Sequence, residues 1–268
     1  HTRSLCDWSS DVCSSDLGSR YAWKFVASAT NSYAQMGQQI EYFNCIDLQN
    51  TTVTISFMAC AVTSTAGSTA LTVRTRTIAG VDGACMFAGT NSDTAVTLTT
   101  TWTRYTVTRS LPASFGSLSL EFVLGSHISG DGIMLSQVQL EIGSVATPFE
   151  RRLYTTELAL CQRYYCKSYN VTDAPGTNTT SGKHSFYATA SAGETSGPIM
   201  FPVIMRAAPT ITYYTPTGTS GAIRNEQDST NDTSADAPYV GTSCVAFVGG
   251  SRTANKYYAF HYTAAAEL

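Results

Sequence analysis

Charge is what this chain has least of. Asp, Glu, Lys and Arg together make up 13% of its 268 residues, against roughly 25% in an average soluble protein. Long helices built without Lys, Glu and Leu are disfavoured, so an α-helical architecture is excluded first. The formal net charge is -3, which leaves no basic footprint for a nucleic acid. No apolar run reaches the ~20 residues that cross a bilayer. Nucleophile-elbow, zinc-protease, P-loop, dinucleotide and paired-cysteine motifs are all missing from the sequence. What fills the space is Thr, Ser, Ala, Gly and Tyr, and Thr and Tyr favour strands.

The opening, HTRSLCDWSSDVCSSDL, belongs to no fold element. It carries neither a period of 2 nor one of 3.6, and Asp7, Asp11 and Asp16 interrupt any signal-peptide core. Back-translated in one frame, it resembles a short-read sequencing adapter. Residues 1–17 are therefore expected to be adapter-derived and unstructured, with the domain entered part-way and an unpaired edge near Tyr21–Val26. The cysteines beyond that segment, Cys45, Cys60, Cys85, Cys161, Cys166 and Cys244, form no metal spacing and read as buried free thiols.

Alternation carries the body of the chain. In TVTISFMACAV, Val53, Ile55 and Phe57 share a face; in ALTVRTRTI, Leu71 and Val73 oppose outward Arg74 and Arg76. TRYTVTRSL aligns Tyr105, Val107 and Arg109, and LSLEFVLG aligns Leu118, Leu120, Phe122 and Leu124. MLSQVQLEIG aligns Met134, Val138, Leu140 and Ile142, and Pro148 is expected to close that last strand. Many short strands with Gly- and Asn-containing turns predict an antiparallel sandwich with one buried and one wet face per sheet. A single helix is predicted near Leu158, Cys161, Gln162 and Tyr165, with Thr155 or Thr156 as N-cap. Strands return after Lys167, separated by two polar stretches read as surface loops.

Candidate chemistry is sparse. His127, His184 and His261 read as structural. The acidic stretch with Glu226, Asp228, Asp232 and Asp236 lacks the calcium-loop spacing, and the sequons at Asn50, Asn170, Asn178 and Asn231 follow from Thr-rich composition. Sugar rings stack on aromatic faces, which makes Trp23, Tyr42, Trp102 and Tyr105 candidate carbohydrate-binding platforms. Trp23 and Trp102 also fit core positions, within strand-like alternation and at a strand entry.

The segments TTTWTRYTVTRSLP and SQVQLEIGSVATPFERRLYTTELALCQRYYCKS resemble phage and prophage tail-fibre proteins, as do MRAAPTITYYTP and YYAFHYTAAAEL. The resemblance implies an all-β chain: a carbohydrate-binding-module-like jelly-roll β-sandwich over residues 18–149, N-terminally truncated, then a linker helix over 150–168. A smaller C-terminal β domain over 169–268 completes it. It further implies a non-enzymatic, homotrimeric virion protein that contacts host-surface carbohydrate and other phage tail proteins, without nucleic acid or membrane insertion. An architectural protein that binds no sugar is the alternative, and a glycan depolymerase the more distant one. No cofactor is expected. The structural calcium of such jelly rolls draws on an acidic residue in the final strand, where this chain has Ser136 and Gln137, so calcium stays open.

Overall fold

The computed structural model describes residues 22–83, 88–189, 197–232, 237–248 and 252–266. The adapter-like residues 1–17, Cys85 and Asp236 lie outside them. The chain divides between Arg151 and Arg152 into two compact units, both built almost wholly from antiparallel strands.

Among the described residues the first unit has eight strands: β1 Trp23–Val26, β2 Ala34–Ile40, β3 Thr52–Ala61, β4 Ala70–Ile78, β5 Thr90–Thr97, β6 Thr103–Ser110, β7 Ser117–Leu124 and β8 Gly132–Ile142. They form two four-stranded sheets in the orders β1-β8-β3-β6 and β2-β7-β4-β5, a jelly-roll sandwich. Val53, Ile55 and Phe57 of β3, Leu71 and Val73 of β4, and Leu118, Leu120, Phe122 and Leu124 of β7 are all buried, as their alternation predicts. Each such side chain contributes about 1.5–3 kcal/mol by leaving water. Among the described residues β1 pairs only with β8 and ends its sheet.

Two expectations about faces change. Thr54 and Ser56, on the second face of β3, are 1% exposed rather than wet. The chain leaving β8 folds back over them: the Thr54 hydroxyl donates to the Gly143 carbonyl at 2.7 Å, and Arg104 donates to Ser56 at 3.3 Å and to the Thr147 carbonyl. In β8 the core side chains are Ile133, Leu135 and Leu140, whereas Val138 and Ile142 are exposed. A bulge puts Ile133 and Leu135 on the same face as Leu140. Ser56 pairs with Gln139 but Met58 with Ser136, so Gln137 and Val138 both oppose Phe57, and Gln137 adopts φ 51. An extra residue reverses the alternation beyond it. The strand ends at Ile142, with Gly143 at φ 116, rather than at Pro148.

The second unit opens with the helix α1 Tyr154–Gln162. Its N-cap is Leu153, with no side-chain cap, and Thr155 and Thr156 lie inside the first turn. The expected apolar face is only half covered: Leu158 and Gln162 are half-buried, Cys161 is exposed and Tyr165 already belongs to the next strand. Among the described residues nine strands follow, namely β9 Tyr165–Lys167, β10 His184–Ala188, β11 Ile199–Met200, β12 Thr210–Tyr214, β13 Ile223–Asn225, β14 Thr230–Asp232, β15 Ala237–Val240, β16 Cys244–Val248 and β17 Lys256–Ala265. β13 and β14 form a hairpin inside the stretch read as a polar loop. β17 pairs with β9, β10, β12 and β13. Its Tyr258, Phe260 and Tyr262 anchor a core with Phe201, Met205, Val245 and Phe247. Two one-turn helices, Tyr42–Cys45 and Ala66–Thr69, lie in the first unit's connections.

Candidate functional site

The outer face of the β2-β7-β4-β5 sheet concentrates the polar side chains of this lightly charged chain. Register puts them in rows. One row runs Gln35, Val123, Thr72, Ala95; the next Gly37, Glu121, Arg74, Asp93; the third Gln39, Ser119, Arg76, Asn91. Arg74 is clamped on Asp93 through two bonds of 2.7 Å. Arg76 donates to both oxygens of Glu121 at 3.1 Å, and the Ser119 hydroxyl donates to the same carboxylate at 2.6 Å. The Tyr33 hydroxyl donates to Gln35 and accepts from Arg74. Gly37 makes the row possible, because a Cβ there would stand 2.7 Å from the Glu121 Cγ.

Exposure grades across the face. Glu121 is fully buried and the Arg76 side chain is 8% exposed, whereas the Asp93 side chain is 41% exposed and Tyr33 lies open. The outward Arg76 read from the sequence is thus a buried ion-pair partner. Hydrogen bonding to Arg74 holds the Asp93 carboxyl below the usual carboxylate range. A general acid needs the opposite shift. The fixed forks of Arg74 and Asp93, the amides of Gln39 and Asn91 and the Tyr33 ring can do something else: present donors and acceptors in fixed positions to a polyhydroxylated ligand.

The four aromatic candidates are not gathered there. Trp23 and Phe25 stack at 6.0 Å and pack on the core from β1. Tyr105 packs on the core from β6, at the other edge of that sheet, 5.7 Å from the Phe57 ring, and its hydroxyl accepts from the Thr99 amide at 2.9 Å. Tyr42 opens a one-turn helix, its amide bound by Asp82. Trp102 sits half-buried just before β6. The missed signal was the VRTRT alternation: two charges on one strand face in so uncharged a chain need partners, and Glu121 and Asp93 supply them.

The remaining candidates are structural. His261 is fully buried, stacked on Tyr169 at 4.0 Å and bonded to Ser168 and the Thr179 carbonyl, each at 3.0 Å. His127 bonds the Gly125 carbonyl, and His184 packs against Phe260 with its pKa lowered by burial. Glu226 pairs with Lys183 and Asp228 with Lys256. Among the described residues no group of three or more His, Cys, Asp or Glu side chains could hold a metal ion. Cys60 and Cys166 are buried free thiols, Cys45 is buried as well, and Cys161 is exposed.

No family model matches the chain, and no curated protein matches it. Among solved structures it is similar to the enzymatically active domain of bacteriophage CBA120 tailspike protein 4, at 15% identity and TM-score 0.38 over 50% of this chain and 17% of that one. It is also similar to a family 16 carbohydrate-binding module (16%, TM-score 0.33, 46% of this chain and 78% of that one). A third is the CBM22-1 xylan-binding domain of Paenibacillus barcinonensis Xyn10C (16%, TM-score 0.35, 52% and 81%). The chain thus spans 17% of the tailspike domain's length. Among the described residues no helix is long and apolar enough to cross a membrane.

Proposed function

We propose that the first unit binds glycans across the outer face of the β2-β7-β4-β5 sheet, and that the chain is the host-contacting part of a phage tail fibre. The observation that carries the binding reading is the fixed row Glu121, Arg74, Asp93, open at its Asp93 end, with the exposed Tyr33 bonded to Arg74. Sugar hydroxyls donate and accept at once, so a rigid array of charged donors and acceptors fits them. Binding rather than hydrolysis is proposed, because Asp93 is held ionised by Arg74 and Glu121 is sealed in its pair with Arg76.

Self-association as a trimer is part of the proposal. Leu153, Tyr154 and Leu160 on and beside α1 are exposed, as are Met200 and Tyr239 in the second unit, and such surface suits burial against further copies and other tail proteins. Weak contacts to host-surface carbohydrate are then multiplied by valency. The full chain on an array of bacterial surface glycans tests the reading. Tyr33→Ala and Asp93→Ala are each expected to weaken any captured glycan at least tenfold, Tyr33→Ala with the melting temperature nearly unchanged. A blank array with folded protein would leave the purely architectural reading. That alternative draws support from Trp23 and Tyr105, whose rings pack on the core rather than face solvent.

A further inference from the structure

A second polar feature lies at the other rim of the sandwich, where β5 ends one sheet and β6 the other. A pocket of about 270 Å³ opens there, somewhat under the roughly 300–1,000 Å³ of drug-sized sites and suited to one sugar unit. Its wall carries the hydroxyls of Thr75, Thr77, Thr90, Ser92 and Ser110, and Leu111 and Pro112 supply an apolar side. Among the described residues, the hydroxyls of Thr77, Thr90, Ser92 and Ser110 make no side-chain hydrogen bond, so they are available as donors.

Behind that wall sits a cation. Arg109, 7% exposed, reaches from β6 across to the other sheet. It donates to the Thr75 hydroxyl at 2.8 Å, the Ser92 carbonyl, the Val73 carbonyl at 3.2 Å and the Thr94 hydroxyl at 2.7 Å. Every one of these acceptors is neutral. The nearest acid in the same strand pair, Asp93, has both oxygens taken by Arg74. Burial accordingly pulls the Arg109 pKa down. A desolvated charge without a contacting counter-ion is unfavourable. Thr75 links it to the pocket: its oxygen accepts from Arg109, which leaves the hydroxyl proton to donate, polarised by the cation behind it.

We propose that this pocket binds an oxyanion, held by Thr75 and the neighbouring hydroxyls and balanced by Arg109. The oxyanion is either a free ion or the carboxylate or sulfate of an acidic sugar. Only the second form rests on the glycan reading above, and there the sugar's C–H face would lie on Leu111 and Pro112.

Calorimetric titration of the full chain with sodium sulfate, sodium glucuronate and glucose, at constant ionic strength held with chloride, tests it. Sulfate and glucuronate are both expected to bind, at least tenfold more tightly than glucose. Ser110→Asp, at an exposed rim position, is expected to weaken both at least tenfold, and Thr90→Asp serves if that variant fails to fold. Tyr33→Ala, on the outer face, is expected to leave both unchanged, which separates this pocket from the site proposed above. Binding of glucuronate alone assigns the pocket to an acidic sugar unit. Equal binding of glucose and glucuronate, indifference to the rim carboxylate, or no binding of either anion would overturn it, whatever the glycan array shows.

Discussion

At the scale of single residues, the electrostatic arrangement of the first unit sets the largest expected effects. Arg76→Ala strands Glu121 in a dry site, and breaking a buried pair costs about 3–5 kcal/mol; urea denaturation should show the loss as a lower midpoint. Gly37→Ala forces a methyl to within 2.7 Å of the Glu121 Cγ and 2.8 Å of the Leu120 carbonyl. That overpacking is expected to cost about 1–3 kcal/mol. The pH dependence follows from the shifted groups. Asp93, Asp131, Glu141 and Asp228 are all held below their ordinary values by hydrogen bonds from their neighbours. A depressed carboxyl stabilises the fold above its unfolded pKa of about 4, and that contribution is lost as pH falls further. Burial pushes the Cys166 thiol up to about 11 and the Tyr262 phenol up to about 12. For these the unfolded chain ionises first, so stability falls as pH climbs past about 9. Thermal melts from pH 3 to 11 should show both flanks.

At the scale of elements, the bulge in β8 explains where the sequence misleads. Gln137 at φ 51 occupies backbone that branched side chains avoid, so Gln137→Val is expected to lose about 1–2 kcal/mol in the same denaturation experiment. Alternation in β3, β4, β6 and β7 was legible because those strands keep a period of 2 with mostly apolar residues inward. β8 was misread because one inserted residue inverts the period, and nothing local in SQVQLE announces it. β2 and β5 escaped notice for a different reason: both are sheet edges, and AQMGQQI and TNSDTAVT place polar residues among their inward positions. The candidate site was half legible. Arg74 and Arg76 share a face by spacing alone, but their pairing with Asp93 and Glu121 depends on strand order, which no short-range pattern contains.

At the scale of the whole molecule, each unit has its own large hydrophobic core among the described residues, one around Phe57 and Phe122, the other around Tyr258 and Phe260. Calorimetry is expected to resolve two transitions. Phe57→Ala should lower one and Phe260→Ala the other, each by about 3–5 kcal/mol, and a single transition shifted by both would refute the division. The connectivity of β17 adds a consequence in time. Its pairing of Ala264 with Cys166 joins positions that lie roughly a hundred residues apart, and closing so long a loop is slow because its entropy is lost before any contact compensates. Among the described residues three strands, β9, β10 and β12, wait on that one strand for a sheet partner. During synthesis, the first unit can complete both of its sheets while β9, β10 and β12 of the second still lack their partner, so nascent chains stalled before Lys256 are the ones exposed to proteases and to aggregation.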